Sequence, residues 1–430
     1  MKSMLIRDGI FLTMDPAQPV VEGCMTVENG RITFIGQNVP EDKTFAEVID
    51  GKNRLFMPGL INTHNHAAMS LLRGYADDLA LKVWLEEKMW PNEAKFTDED
   101  VRWGALLSIV EMIKSGTTCF VDMYDHMDEV AGAVEMSGIR ACLTRGMIGL
   151  GGEDEQRAKL AEARAFVENW HGQADGRITT MMSPHAPYTC PPAFIRQIVE
   201  TARELNVPIH THMSETASEV EWNVKEYGKR PVEHLLELGV FDGPCLVAHA
   251  VHLNNEEIDI LREHDVKVSH NPGSNLKLAS GIARVPDMLQ KGITVSIGTD
   301  SSASNNNLDM FEEIRLAALI HKGVSGDPTA VPAEQALRMG TVMGAEALWL
   351  EDVGILKPGM KADLIALDMS EAHWYPSGHY ISHLVYAASA RDVTDVWVDG
   401  RPLMRNRELV TLDEERIKWE FQKRFERIMA

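Results

Sequence analysis

Cysteine is scarce in this chain of 430 residues, and its five cysteines show no pairing pattern. Cys24, Cys119, Cys142, Cys190 and Cys245 are scattered, with no Cys-x-x-Cys pair among them. An odd number of isolated cysteines in a long chain argues against a disulfide framework. We therefore expect buried thiols in a reducing compartment, which points to the cytoplasm.

Long apolar runs and an excess of positive charge are also missing. No run approaches the roughly 20 apolar residues of a membrane span, and the N-terminus lacks a basic segment followed by a sustained apolar stretch. The formal net charge of -22 disfavours nucleic acid as a partner. These absences predict a cytoplasmic protein that binds neither membrane nor nucleic acid, and whose ligand is small and uncharged or zwitterionic.

Two strand-rich ends flank a long alternating region. With 44% hydrophobic residues, the chain can build one large core of about 300 residues and a smaller domain. We predict that residues 1–55 and 356–430 form the two parts of one small β-sandwich, the second part ending in a helix over 413–429. Residues 56–355 alternate short apolar strands with amphipathic helices and form the predicted metal-dependent catalytic domain.

Eight short apolar segments of the central region are candidate strands. They span residues 56–62, 117–122, 139–145, 178–184, 207–213, 244–249, 266–270 and 293–299. Eight βα units predict an α/β fold of the (β/α)8 TIM-like barrel type, in which functional residues lie at the C-terminal ends of the strands.

Histidine and aspartate stand at several of these strand ends. His64 and His66 are two residues apart after the first strand, so both imidazoles point to the same side of an extended chain. His212 and His249 lie at the ends of the fifth and sixth strands, and Asp300 follows the eighth. One His-x-His pair is weak evidence, but an ordered set at successive strand ends predicts a metal centre.

We predict that His64, His66, His212 and Asp300 bind the metal. Imidazole and carboxylate donors suit Zn²⁺, with Fe²⁺, Mn²⁺ or Ni²⁺ as alternatives. His210 is interpreted as a supporting histidine. The fourth strand ends at Ser183-Pro184-His185 without a lysine that could bridge two metals, so one ion per subunit is expected.

A bound metal of this kind lowers the pKa of water to roughly 7. Glu215, three residues after His212, could accept the proton of that water and pass it to the substrate; the alternative is an exposed carboxylate at a helix start. His249 and Asp300 could orient the water. His270 either supports the site or is an ordinary packed residue.

These motifs resemble the amidohydrolase superfamily, and within it the 5-methylthioadenosine/S-adenosylhomocysteine deaminases. The resemblance runs from about residue 5 to 425. It rests on Pro58-Gly59-Leu60-Ile61-Asn62-Thr63-His64-Asn65-His66, Leu71-Leu72-Arg73-Gly74, Ser115-Gly116-Thr117-Thr118, His212-Met213-Ser214-Glu215-Thr216, Asn271-Pro272-Gly273-Ser274-Asn275-Leu276-Lys277-Leu278 and Gly298-Thr299-Asp300. Asn65 departs from the threonine that is common there. Triazine hydrolases and guanine deaminases share these motifs, so the reaction type is better defined than the substrate.

The resemblance implies a set of substrate contacts and a homo-oligomeric assembly. Glu93 would hold the ribose hydroxyls, Arg145 and Arg157 would lie near the 5′ substituent, and His185 would hydrogen-bond the purine, with Glu215 and Asp300 at the reacting carbon. The implied reaction is zinc-dependent deamination of adenine nucleosides with a 5′-thio substituent. 5′-Methylthioadenosine would give 5′-methylthioinosine, and S-adenosylhomocysteine would give S-inosylhomocysteine, with release of ammonia.

Two alternatives stay open at this point. One is a related hydrolase that acts on another aminated heterocycle, such as adenosine, guanine or a chlorotriazine; Glu93 argues against the bare heterocycles because they carry no ribose. The other is a non-enzymatic barrel that serves as an assembly module, whose signature would be missing metal ligands.

Replacement of Glu215 tests the proton-transfer role. We expect Glu215→Gln to retain the metal and to lose most turnover, because an amide cannot shuttle a proton. Metal content and ammonia release are measured on the same preparation. Near-normal turnover would remove Glu215 from this role.

Overall fold

The computed structural model describes residues 3–38 and 43–430, and its strands form two sheets. One is a mixed sheet built from both ends of the chain, and the other is an eight-stranded parallel sheet between them. The N-terminal strands of the mixed sheet are β1 (Met4–Leu12), β2 (Val20–Glu28), β3 (Arg31–Gly36), β4 (Glu47–Asp50) and β5 (Arg54–Pro58).

The central sheet is the predicted barrel. Its strands are β6 (Leu60–Asn62), β7 (Thr117–Tyr124), β8 (Arg140–Met147), β9 (Ile178–Pro184), β10 (Ile209–Met213), β11 (Cys245–His249), β12 (Lys267–His270) and β13 (Val295–Ile297). They pair in parallel and in chain order. The N–H of Thr63 donates to the carbonyl of Ile297 (3.0 Å), and the N–H of Asp300 donates to the carbonyl of His64 (2.9 Å). These bonds join the first strand to the last and close the ring.

The mixed sheet is completed by the C-terminal strands. They are β14 (Leu364–Asp368), β15 (Val393–Val398), β16 (Arg401–Arg405) and β17 (Glu408–Leu409). The strand order is β17-β16-β15-β14-β5-β1-β2-β3, with β4 also paired to β1. Antiparallel pairing of β5 with β14 joins the two ends of the chain, and Phe11, Phe56 and Trp397 are buried together in its core. The predicted union of the chain ends in one β layer is confirmed.

Helices cover the outside of the barrel and follow its strands. They are α1 (Leu81–Val83), α2 (Trp90–Glu93), α3 (Asp98–Lys114), α4 (Met127–Ser137), α5 (Glu153–Trp170), α6 (Gln173–Gly176), α7 (Pro192–Leu205), α8 (Ala217–Tyr227), α9 (Pro231–Glu237), α10 (Asn255–Glu263), α11 (Pro272–Lys277), α12 (Val285–Gln290), α13 (Met310–Ser325), α14 (Ala333–Met339), α15 (Val342–Ala347), α16 (Tyr380–Tyr386) and α17 (Glu414–Met429). A π-helical turn, Trp84–Met89, lies between α1 and α2. Among the described helices, none combines the length and the apolar character that crossing a membrane requires.

One predicted strand is divided in the structure. Residues 56–62 were expected to form a single barrel strand, but Arg54–Pro58 belongs to the mixed sheet and only Leu60–Asn62 belongs to the barrel. The chain changes sheets at Gly59, where a Cβ atom would lie 2.0 Å from the Oγ1 of Thr118. Only glycine permits this close approach. The division of the chain at residues 55 and 355 into domains stays a prediction.

A buried ion cluster links the barrel to the mixed sheet. Arg140, at the start of β8, is 2% exposed, and its guanidinium lies 2.8 Å from Asp363 and 2.7 Å from Asp399. Burial lowers the pKa of Arg140, but the two carboxylates outweigh burial and raise it above its ordinary value. The charge pairing therefore compensates for the desolvation of the cation in this interface.

Replacement of Arg140 by leucine tests this link. Because the change leaves two acidic groups without their cation, we expect a loss of about 3–5 kcal/mol in the free energy of unfolding. The measurement is urea unfolding at neutral pH. Arg203→Leu is the control, since the Arg203 side chain is 67% exposed and its loss should change stability by at most about 0.5 kcal/mol. Equal effects of the two variants would contradict a structural role for the cluster.

Candidate active site

The predicted metal ligands meet at the C-terminal mouth of the barrel. His64 and His66 follow β6, His212 lies in β10, and Asp300 follows β13. Their donor atoms form overlapping groups, His64 with His66 and His212, and His64 with His249 and Asp300, within which the donors lie no more than 4.8 Å apart. The strand-end positions therefore converge as predicted from the sequence.

Each histidine of the cluster is held through its Nδ1 atom. The Nδ1 of His66 bonds the carbonyl of Met123 (2.5 Å), and the Nδ1 of His212 bonds the carbonyl of His185 (2.7 Å). The Nδ1 of His64 lies 2.9 Å from the Nε2 of His210, whose own Nδ1 bonds the carbonyl of Leu246. With Nδ1 occupied in this way, Nε2 is the atom left to bind a metal.

The spacing of the donor atoms fits one metal ion. Asp300 Oδ1 lies 3.3 Å from His66 Nε2 and 3.6 Å from His64 Nε2, and the Nε2 atoms of His66 and His212 are 3.3 Å apart. Four donors placed tetrahedrally about 2.0–2.2 Å from a zinc ion would be about 3.3–3.6 Å from one another. The Nε2 of His64 is buried and has no hydrogen-bond partner, a costly arrangement unless a cation binds there. The residues therefore fit a divalent metal of the zinc type.

The protonation states of the predicted donors differ from residue to residue. Burial holds the pKa of His64 and of His212 well below the ordinary value, which keeps both imidazoles neutral. Burial also lowers the pKa of His66, but the hydrogen bond and the charge of Asp300 outweigh it and raise that pKa to about 9. Burial alone would raise the pKa of Asp300, yet contact with His66 holds it below its usual range. The anionic Asp300 thus makes this point attractive to a cation.

Glu215 lies beside the metal donors and is buried, at 4% exposure. It is therefore not an exposed carboxylate at a helix start. Its Oε2 is 3.7 Å from the Nε2 of His249, and its Oε1 accepts a hydrogen bond from the Ser280 hydroxyl (3.3 Å). Burial raises the pKa of Glu215 above its usual value, as a group that exchanges protons near neutral pH requires. His249 is itself oriented by Asn275 Oδ1, 2.8 Å from its Nδ1.

A cavity of about 290 Å³ opens above these residues. Predicted site residues share its lining with aromatic side chains and a lysine. The lining includes Glu93, Tyr124, Arg145, His185, Trp84, Trp90, Tyr188 and Lys159. Glu93 accepts a hydrogen bond from the Tyr124 hydroxyl (2.5 Å), and burial raises its pKa. His185 bonds Thr189 through Nδ1 (2.9 Å). A polar cluster with aromatic walls suits a flat polar ring.

Two residues that the sequence places in or near the site lie away from the metal-donor cluster. The Arg157 side chain is 63% exposed, pairs with Glu153 and Asp154 on its own helix, and is absent from the cavity lining. The Nε2 of His270 lies 3.3 Å from the Nε2 of His321 instead. Arg145 does reach the cavity, where it pairs with Asp125 (3.0 Å).

Sequence reasoning missed several residues of the site. Lys159, two positions after Arg157, lines the cavity and donates to the carbonyl of Ile148 (3.0 Å). Tyr124 could have been found, because its position at the end of β7 obeys the same strand-end rule as the histidines. Ser280 lies in an irregular loop and carries no signal.

The arrangement defines a barrel protein with a buried divalent-metal site at the base of a pocket. The chain belongs to the amidohydrolase family, whose sequence profile matches residues 55–403. It is 54% identical over 430 residues to a protein of Halalkalibacterium halodurans named 5-methylthioadenosine/S-adenosylhomocysteine deaminase, covering 99% of this chain and 98% of that one. A protein of the same name from Dictyoglomus thermophilum is 54% identical over 392 residues, covering 90% and 91% of the two chains.

A solved structure shares the whole fold. The crystal structure of an adenosine deaminase from Xanthomonas campestris with bound zinc is 37% identical, with a TM-score of 0.93. The match covers 99% of this chain and 98% of that one.

Loss of one donor tests the metal site without any assay of activity. We expect His66→Ala to weaken zinc binding by more than about tenfold, because even the loss of a residue that supports a ligand costs about 10–100-fold in affinity. Competition with a chromophoric chelator measures the affinity. His264→Ala is the control, since His264 contacts the carbonyl of Phe241 and lies outside the donor cluster. Unchanged affinity in His66→Ala would exclude His66 as a ligand.

Proposed function

We propose that this protein deaminates adenine nucleosides that carry a 5′-thio substituent. 5′-Methylthioadenosine becomes 5′-methylthioinosine, S-adenosylhomocysteine becomes S-inosylhomocysteine, and each turnover consumes one water and releases one ammonia. The observation that carries this proposal is the name shared by relatives that are about half identical over nearly the whole chain. The metal-donor cluster, beside a pocket lined by Glu93, Glu215 and aromatic side chains, supports it.

One zinc ion per subunit fits the four donors His64, His66, His212 and Asp300. When bound, the metal acts as a Lewis acid that lowers the pKa of water to roughly 7. Asp300 is held for this purpose by the hydroxyls of Ser274 (2.6 Å) and Ser304 (3.0 Å), which donate to its Oδ2.

Glu215 moves the proton. It takes one proton from the attacking water and gives it to N1 of the adenine ring, while the oxygen forms a bond to C6. The amino group then takes the remaining proton of that water, the bond from C6 to nitrogen breaks, and the ring keeps a C6 carbonyl. His249, 3.7 Å from Glu215, stabilises the attacking oxygen by a hydrogen bond.

The pocket residues recognise the nucleoside. Tyr124 satisfies one oxygen of Glu93 and leaves the other to accept hydrogen bonds from the ribose hydroxyls. His185 bonds the purine, and Arg145 lies towards the 5′ group. The predicted role of Arg157, the homo-oligomeric state and the cytoplasmic location stay predictions.

Adenosine, which carries a 5′-hydroxyl in place of the 5′-thio substituent, is the second candidate substrate. The likeness to a structure named as an adenosine deaminase favours it. Both candidates need the same chemistry at C6 and differ only at the 5′ position.

A substrate panel tests the proposed function. Zinc-loaded protein is assayed for ammonia release and for the change in adenine absorbance with methylthioadenosine, S-adenosylhomocysteine, adenosine and guanine in parallel. We expect the 5′-thio nucleosides to show the highest kcat/KM. A preference for adenosine would select the second candidate, and turnover of guanine alone would refute both.

Glu93→Gln tests ribose recognition. A hydrogen bond to a charged group contributes about 1.5–3 kcal/mol, so we expect kcat/KM for nucleosides to fall about 10–150-fold, mostly through KM. Free adenine serves as a probe that lacks ribose, and its turnover should not change. Glu86→Gln, from an exposed position nearby, is the matched control. An equal loss with adenine and with nucleosides would contradict the role.

A further inference from the structure

A second buried glutamate stands directly behind Glu215. Glu219, in the first turn of α8, is 6% exposed. Its Oε1 accepts a hydrogen bond from the N–H of Ser214 (2.9 Å), and its Oε2 accepts one from the N–H of Glu215 (2.7 Å). Both oxygens of one side chain are thus committed to two successive peptide groups, 213–214 and 214–215, in the turn that leads into Glu215.

These contacts exceed what helix capping needs. In a capping box, the acid at the third helical position bonds the N–H of the N-cap residue, as Glu257 does to Asn254 in α10 (2.8 Å). Thr216 is the N-cap of α8, and its Oγ1 accepts from the N–H of Glu219 (3.2 Å). Glu219 reaches past Thr216 to the two preceding residues. Its carboxylate therefore stabilises the backbone that follows β10 and does not cap the start of α8.

The backbone held by Glu219 has an unusual conformation. Ser214 has φ of 54°, in the left-handed region that a non-glycine residue rarely adopts. Its carbonyl accepts hydrogen bonds from the N–H groups of Val251 (3.0 Å) and His252 (2.9 Å), which follow His249. Such a conformation persists only when the surroundings hold it. Glu219 on one side and the loop after β11 on the other provide that support.

We propose that Glu219 is a positioning residue for the deamination, which fixes the backbone turn that aims the carboxylate of Glu215 at the substrate. This inference rests on the proposed function. It predicts that Glu219 affects the rate only through Glu215, since it is held by the backbone of residues 214 and 215 and is absent from the cavity lining.

A double-mutant cycle tests the proposal. Wild type, Glu219→Gln, Glu215→Gln and the double variant are compared by steady-state kinetics, with bound zinc measured for each. Because a displacement of about 1 Å can cost about 100-fold, we expect Glu219→Gln to lower kcat about 10–100-fold with KM within about threefold. In the Glu215→Gln background the same change should alter kcat by less than about twofold. An equal loss in both backgrounds, or no loss in either, would overturn the proposal.

Glu257→Gln is the matched control, because Glu257 is a buried glutamate at the same helical position in α10, where it does form a capping box. It should lower thermal stability without a selective loss of kcat. Glu219→Asp covers the case in which Glu219→Gln fails to fold: it keeps the charge but can reach only one N–H, and we expect an intermediate loss with the same non-additivity.

Amide hydrogen exchange gives a readout that needs no turnover. The N–H groups of Ser214 and Glu215 should exchange faster in Glu219→Gln than in wild type, and at the wild-type rate in Glu257→Gln. This measurement distinguishes failure of the positioning role from failure of the proposed function. If the wild-type protein deaminates no nucleoside, only the proposed function is refuted. If amide exchange is unchanged in Glu219→Gln, the positioning role is refuted.

Discussion

Bonds from histidine Nδ1 atoms to groups on other strands of the barrel are the interactions on which the site depends. His66 is tied to the carbonyl of Met123 at the end of β7, and His212 to the carbonyl of His185 just after β9. His64 reaches the carbonyl of Leu246 in β11 through His210. The imidazoles of His66 and His212 are therefore oriented by the strand beside each of them, whereas His64 is oriented by a chain of two bonds that crosses the barrel.

The part of the site that could be predicted follows from two general rules. Alternation along an extended chain places His64 and His66 on one side, and parallel strands in a barrel bring their C-terminal ends together. Neither rule needs knowledge of packing, so the barrel and the convergence of the predicted metal donors follow from the sequence, while the family was identified from the resemblance of its motifs. The helix over residues 413–429 could also be predicted from the sequence, because its amphipathic pattern is local.

What could not be predicted depends on tertiary packing. Arg157 and Lys159 lie two positions apart on one helix and so face different directions, and only the rotation of α5 against the barrel decides that Lys159 meets the cavity. The break of the predicted strand at Gly59 depends on the approach of Thr118 from a distant segment. Glu219 looks like an ordinary capping residue in the sequence, since its partners are set by the unusual turn at Ser214.

The closure of the barrel gives the metal site a further property. The N–H of Asp300 donates to the carbonyl of His64, so two of the metal donors are also the residues that join the last strand to the first. A chain that has assembled seven strands but not the eighth lacks both the seam and the carboxylate. Binding of a metal by these predicted donors would therefore require the completed ring, and a metal bound late in folding would hold the two edges of the sheet together.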